Sequence, residues 1–361
     1  MKSFDRYLLR QFIVTTLFAL VAFTVVFIVV DLMENLDEFI DQKADAGIIL
    51  SYYLFFIPEI FKLMLPVGML LSALFTTGRL STFNELTALK SSGVSLYRFM
   101  APLLAFSFLV SCASVYFNGW VVPYANGKKL EIMRGYFHRN IEVISKSNIF
   151  IQDTPTRILS IGTFDDHLNA ASHVSLQDFS AADPTIVVDR YDAAEMRWDG
   201  ATKSWTLYRG TERIFSEGKE TLRKFDSLPM GTLNFSPEDI KKKQQVPDEM
   251  QYNDLKQFIA DEQRAGHDVS RWLVDFNGKI AFPFSNFIVV LFGVPFSSIK
   301  RRSGLGVEFG IAIAICFFYM IFLKVSQAFG YNGDINPFLT AWLANIIFLA
   351  GGLYNLWRVP K

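Results

Sequence analysis

The chain has 361 residues, more than one typical domain length, and 35 Lys+Arg balance 35 Asp+Glu to a formal net charge of zero. That balance argues against a nucleic-acid binder working through a basic surface. The apolar fraction of 51% barely exceeds a soluble norm of about 45–50%, but it is gathered into long blocks at both ends of the chain, which excludes an ordinary soluble protein. Cys112 and Cys316 both lie inside those blocks, so a secreted disulfide framework is excluded too.

A helix crossing hydrocarbon needs about 20 mostly apolar residues, because lipid offers the backbone no hydrogen-bond partner. In chain order the blocks run Phe12 to Val30, Ile48 to Thr77 (with Pro58 and Pro66 as expected kinks) and Phe99 to Val122. After a polar middle come Ile280 to Phe296, Leu305 to Leu323 and Pro337 to Trp357. The first is too long for a signal h-region, and Asp31, Leu32, Met33 and Glu34 follow it in place of a small-residue cleavage site. Lys2, Arg6 and Arg10 precede span one, and Arg79, Lys90 and Arg98 join spans two and three. Lys300, Arg301 and Arg302 join spans four and five, and Arg358 and Lys361 end the chain. Residues 31–49 instead hold six acids (Asp31, Glu34, Asp37, Glu38, Asp41, Asp45) against Lys43, and residues 326–336 hold only Asp334. The positive-inside bias therefore predicts cytoplasmic termini and a 123–275 insert on the far side.

Inside the insert, short alternating runs predict strands at Ile158 to Phe164, His173 to Phe179, Thr185 to Tyr191, Ala194 to Trp198, Ser204 to Tyr208 and Thr211 to Phe215. Asp199-Gly200 begins a hairpin loop flanked by Trp198 and Trp205. Many short strands suggest a sandwich or jelly roll. Tyr124 to Arg139 extends span three outward as a helix, and Asn253 to Ala265 is helical in period, with Gly266 as its cap.

Chemistry-bearing motifs are scarce. No P-loop occurs, since Gly127-Lys128, Gly218-Lys219 and Gly278-Lys279 lack the upstream glycine and following Ser or Thr. There is no H-E-x-x-H and no G-x-S-x-G. The four histidines, His138, His167, His173 and His267, all lie in the insert. Asp165-Asp166-His167 is a polar turn between strands, because no second ligand pair stands at metal-site spacing, and Lys241-Lys242-Lys243 is a solvated basic run. No enzyme, cofactor or metal is expected.

Charges at span ends carry more. Glu59 and Lys62 share a face of span two, where each costs about 2.5–3.5 kcal/mol at mid-membrane and so must pair, face a cavity or lie near the interface. Lys128, Lys129, Arg134 and Arg139 cluster beyond span three, either as an interfacial anchor or as partners for a lipid phosphate. Between spans two and three, Phe83, Leu86 and Leu89 form an apolar face on a short helix that Gly93 ends, suited to a partner's groove or to lying on the membrane surface.

The stretch from Arg79 to Gly93, with its Asn84-Glu85-Leu86 core and closing Ser92-Gly93-Val94-Ser95, resembles the coupling-helix region of the lipopolysaccharide-export permease family, LptF/LptG. Asp5-Arg6-Tyr7, Gly293-Val294-Pro295-Phe296-Ser297 and Phe318-Tyr319 are similar too, and Asp5-Arg6-Tyr7 with Arg271-Trp272 leans toward the LptG branch. The resemblance spans essentially the full chain. It implies an α+β membrane protein of six transmembrane helices, three and three, around a periplasmic jelly-roll-like β domain, with boundaries at residues 1–122, 123–275 and 276–361. It further implies an inner-membrane permease subunit of an ABC exporter that moves lipopolysaccharide to a periplasmic bridge. Its partners would be a cytoplasmic ATPase dimer, a sister LptF-like permease and LptC/LptA-like bridge proteins. Arg79, Phe83, Glu85, Leu86, Leu89 and Gly93 would couple to the ATPase, with Glu85 as the acidic contact. Lys62, Lys128, Lys129 and Arg134 would be candidates for the lipid head group, and spans one, two and five would line the lipid cavity; the 36 Phe of the chain either wall that cavity or face the bilayer. The alternative is a non-transporting membrane-anchored scaffold whose β domain binds partner proteins; a proton-driven transporter is disfavoured by the few ionisable residues in the spans.

Overall fold

The computed structural model describes residues 2–136, 149–165, 168–181, 183, 185–216, 219–231, 233–237, 240, 246–264, 268–298 and 305–358. The cap at Gly266, the basic run at 241–243, the loop at 300–302, Arg139 and three of the histidines (His138, His167 and His267) therefore lie outside the described residues. The chain divides into two compact units, one of residues 1–139 and 247–361 and the other of residues 140–246. The helical connectors on either side of the insert thus belong with the membrane helices.

In the helical unit, α1 covers Lys2–Asp41, α2 Ala46–Thr82, α3 Glu85–Ser91 and α4 Leu96–Tyr116, which runs through a π-helical turn at Phe117–Val121 into α5, Val122–Tyr136. After the insert come α6 Tyr252–Arg264, α7 Ser270–Ala281, a 3-10 turn at Phe282–Phe284, α8 Ser285–Ser297, α9 Leu305–Tyr331 and α10 Pro337–Arg358. Among the described residues, six stretches are long and apolar enough to cross a membrane: Ser3–Asp41, Ala46–Thr82, Leu96–Gly135, Ser270–Ser297, Gly310–Tyr331 and Pro337–Arg358. Each matches one of the six apolar blocks. The 40 residues of α1 span about 60 Å at 1.5 Å per residue, twice the hydrocarbon thickness, so α1 continues well past the bilayer.

The main apolar core joins Leu8 and Phe12 of α1, Met69, Ala73 and Leu80 of α2, Phe99, Met100 and Leu103 of α4, and Val290, Leu291 and Val294 of α8. The stretch containing α7 and α8 is the most enclosed, with 67% of its apolar window buried against 22% for α1. Between membrane helices the hydrophobic effect contributes little, so close approach and hydrogen bonds hold the bundle. Gly293 lets α8 approach α2, where a Cβ would come within 2.6 Å of the Leu70 side chain. The Tyr319 hydroxyl donates to Asn345 Oδ1 at 2.8 Å, Asn345 Nδ2 donates to the Ala281 carbonyl at 2.6 Å, and the Ser326 hydroxyl donates to the Thr340 carbonyl at 2.7 Å. Together these tie α7, α9 and α10.

In the second unit the strands are β1 Ile149–Thr154, β2 Arg157–Asp165, β3 Ala170–Phe179, β4 Val187–Asp199, β5 Ser204–Ser216 and β6 Lys219–Pro229. They form one antiparallel sheet in sequence order. Among the described residues this is a meander, without the strand crossovers of a jelly roll. The expected hairpin forms at Asp199, whose carboxylate accepts from the Ala201 amide at 3.0 Å and the Thr202 hydroxyl at 2.7 Å. These donors hold its carboxyl below the usual carboxylate range. Trp198 and Trp205 face each other across the ladder with ring centroids 5.0 Å apart.

The predicted breaks at residues 192–193 and 209–210 are not turns, because β4 and β5 run straight through them. Pairing lapses instead along one row that crosses the sheet, at Gly162, His173, Ala194, Arg209 and Asp226. His173 and Arg209 in that row take positive φ, 55° and 53°. Core residues flank it at a spacing of three (Ile161 and Phe164, Ala171 and Val174, Ala193 and Met196, Phe225 and Leu228), so one extra residue per strand keeps the same face inward. Gly210, beside this row, is needed for space. A Cβ there would meet the Phe225 ring and come within 2.6 Å of the Asp192 carbonyl oxygen. Gly210→Val should lower stability by about 1–3 kcal/mol, read as an earlier denaturant midpoint in tryptophan fluorescence; an unchanged midpoint would show that the neighbouring strand yields freely.

Candidate functional site

Two places in the helical unit gather the predicted residues. At the first, α2 ends on Phe83 and Asn84 takes a left-handed φ of 60°, turning the chain into α3. Gly93, with φ +85°, ends that excursion, as its lack of a Cβ predicts. The three apolar residues do not share one outward face. Phe83 precedes α3 and is 65% exposed, Leu86 is 3% exposed and belongs to the bundle core, and Leu89 is half-buried. Leu86 anchors the helix because the sharp turn at Asn84 rotates α3 relative to α2. That leaves Glu85 and Phe83 outward, with the Arg79 guanidinium 6.0 Å from the Phe83 ring centroid. Nearby, Arg98 of α4 donates to Asp5 of α1 at 2.5 Å, fastening two helix starts at the same end.

At the opposite end, Phe39, Tyr52 and Tyr53 form an aromatic cluster with Ile28 and Leu32 of α1, Phe56 of α2, and Ile132 and Met133 of α5. It lies where the apolar run of α1 gives way to Asp31, the level at which aromatic belts form. Glu59 and Lys62 stand about one and two turns of α2 inward of Phe56. They do not pair with each other. Glu59 instead accepts from Lys129, whose ammonium also lies 4.7 Å from the Phe56 ring centroid, and Lys62 lies 3.5 Å from Asp248. Arg134 makes a forked bond to Glu249, 2.8 and 3.3 Å, and Lys128 pairs with Glu131 at 2.8 Å on the exposed side of α5.

All four candidate head-group cations are thus held by carboxylates of this chain. Two of those acids, Asp248 and Glu249, lie in the turn at residues 247–249 that the sequence reading passed over. Their signal was present: two adjacent acids after Pro247, just before the helices resume. Glu249 is almost fully enclosed, its side chain 2% exposed. Asp248 has a side chain 73% accessible, with the Lys62 ammonium beside it. Desolvation there raises its carboxyl, but the cations Lys62, Lys279 and Lys324 outweigh that and hold it below the usual range. Lys279 of α7 is buried beside this group, and Asp275 accepts from the Tyr331 hydroxyl at 2.5 Å.

Of the other predicted features, His173 lies on the interrupted row of the sheet, and Asp165 accepts from the Leu168 amide at 3.1 Å as a turn cap. Among the described residues no cluster of His, Cys, Asp and Glu could hold a metal ion.

With six spans, a β insert and these two polar ends in place, residues 6–358 match the family described as lipopolysaccharide export system permease LptF/LptG. The chain belongs to this family. It is 24% identical over 361 residues to the lipopolysaccharide export system permease protein LptF of Escherichia coli K12, covering 98% of this chain and 94% of that protein. A Shigella flexneri LptF gives the same figures. The E. coli K12 LptG is 21% identical over 366 residues, with 99% and 98% covered. The chain is thus similar to both branches of the family, slightly more to LptF than to the LptG branch toward which its motifs lean.

Arg134→Met should strand the enclosed Glu249 carboxylate. The expected loss is about 2 kcal/mol, below the roughly 3–5 of a fully buried pair because Arg134 is partly exposed. Adding Glu249→Gln should restore most of it, as measured by thermal unfolding in detergent; a double variant no more stable than Arg134→Met would remove the pair from the account.

Proposed function

We propose that the chain is an inner-membrane permease subunit of an ABC-type exporter that lifts lipopolysaccharide out of the inner membrane and passes it to a periplasmic protein bridge. The family match over nearly the whole chain carries this reading. ATP hydrolysis belongs to a separate cytoplasmic ATPase dimer, and the β domain meets LptC/LptA-like bridge proteins. The distribution of Lys and Arg supports cytoplasmic termini, with residues 79–93 on the same side.

The cargo sets the physical problem. Apolar surface costs about 25 cal/mol per Å² to expose to water, so a lipid with several acyl chains does not leave the bilayer unaided. An apolar wall is available for it. One core cluster joins Ala19 of α1, Leu70, Leu71 and Leu74 of α2, and Ala312 and Cys316 of α9, so these helices stand side by side. Val14, Phe18 and Val21 of α1 and Phe317, Phe318 and Phe322 of α9 remain exposed. In this reading a sister permease closes that wall into a cavity. The cations Lys62, Lys128, Lys129 and Arg134 sit at its outer rim, where anionic head groups reside. Movement arrives through α3: Glu85 and Phe83 contact the ATPase, and Leu86 transmits the push into the core shared by α1, α2, α4 and α8.

Glu85→Arg should cut lipid-stimulated ATP turnover of the reconstituted complex at least about tenfold while the complex still assembles. Full coupling in that variant would remove α3 from transmission. Cysteines placed at 83 and 90 should react with impermeant reagents from the cytoplasmic face only, and labelling from the periplasm would overturn the whole assignment.

A further inference from the structure

Leu8 and Phe12 of α1 are fully enclosed in the bundle core, which fixes the rotation of that helix and turns its opposite face outward. Arg6 and Arg10 lie on the outward face, four residues apart and exposed. Side chains at that spacing stand about 5–6 Å apart, close enough for both guanidinium forks to reach one phosphate. Among the described residues neither is paired with a carboxylate, and the neighbouring Asp5 is already engaged by Arg98 at 2.5 Å. Asp5, Arg6, Leu9, Arg10, Ile13 and Val14 line an open groove of about 640 Å³. Beyond it the same face turns apolar. Val14, Leu17, Val21 and Val25 follow Arg10 at spacings of three and four, each more than half exposed. From Val14 to Val25 the helix rises about 16 Å, close to the half-thickness of the hydrocarbon core, about 15 Å.

We propose that Arg6, Arg10 and the apolar stripe beyond them bind one anionic phospholipid of the cytoplasmic leaflet, its phosphate on the two guanidinium forks and an acyl chain along Val14, Leu17, Val21 and Val25. The inference rests on the orientation given above, with the start of α1 in the cytoplasm. The occupant is an amphiphile because cations and apolar surface run on without a break on one face; the acids of a soluble partner would meet only the arginines. It is anionic because two guanidiniums over one phosphodiester leave a positive charge, which repels the ammonium of a zwitterionic head group. The stripe is part of the wall that the exporter reading offers to cargo, so a phospholipid seated here fills the cytoplasmic half of that wall. Cargo entering from the outer leaflet is left the other half.

The test uses the full chain in its assembled complex, in nanodiscs of phosphatidylcholine with a minority of phosphatidylglycerol. After gentle extraction, native mass spectrometry counts the phospholipid retained per complex. Native complex should retain phosphatidylglycerol about tenfold or more above its share of the bilayer, and Arg6→Gln with Arg10→Gln should remove most of that enrichment. Arg6→Lys with Arg10→Lys keeps both charges but loses the forks, and should lose at least about half of it. Enrichment as in the native complex for the lysine variant would mean a diffuse pull of surface charge, and would overturn the proposal. It is overturned too if native complex shows no enrichment, or if Arg6→Gln with Arg10→Gln releases the ATPase and leaves the phospholipid count unchanged, which would make the arginines a protein contact. The labelling of residues 83 and 90 separates the two readings: cytoplasmic access without enrichment removes this site alone, whereas periplasmic access removes both.

Discussion

Hydrocarbon gives neither a backbone amide nor an ionised side chain a partner, and both parts of that constraint shape the helical unit. The backbone part makes six apolar helices. The side-chain part accounts for the end of the bundle opposite α3, where Glu59, Lys62, Lys129, Arg134, Asp248 and Glu249 pair between elements distant in sequence. Such pairs add little to stability relative to apolar replacements, because desolvation offsets the Coulomb gain. What they confer is location: each cation is fixed in place and neutralised by a carboxylate of this chain.

One packed core runs inward from α3. Leu86 at one end and Met69, Phe99 and Val290 deeper in belong to a single packed core. Close-packed cores transmit displacement because they have few voids to absorb it. The α7–α8 stretch is the most enclosed, while α1, α9 and α10 carry many exposed apolar residues.

In the second unit, the lapse of pairing at Gly162, His173, Ala194, Arg209 and Asp226 has a direct sequence counterpart. The alternation slips by one residue in β4 and β5, and a slip is what a turn also produces. A single chain cannot show whether neighbouring strands slip at the same row. That alignment exists only once the strands lie side by side. Ala193 and Met196 stay on one face because the extra residue is matched in the neighbouring strands from β2 to β6, and Gly210 is bare because the Phe225 ring needs its space.

By itself, the sequence determined the spans, their three-and-three order around a β insert, the helical connectors and the family, because each rests on composition or on period along the chain. Local chemistry was equally legible: the Asp199 hairpin and the Gly93 helix end are set by residues a few positions apart. Only the tertiary structure decided that Leu86 faces inward, that Lys62 meets Asp248 rather than Glu59, and that Arg134 is locked to Glu249 across 115 positions of sequence. Ion pairs between distant segments leave no periodic trace, since a charge is satisfied by whichever partner folding brings near, and only the packed helices specify which partner that is.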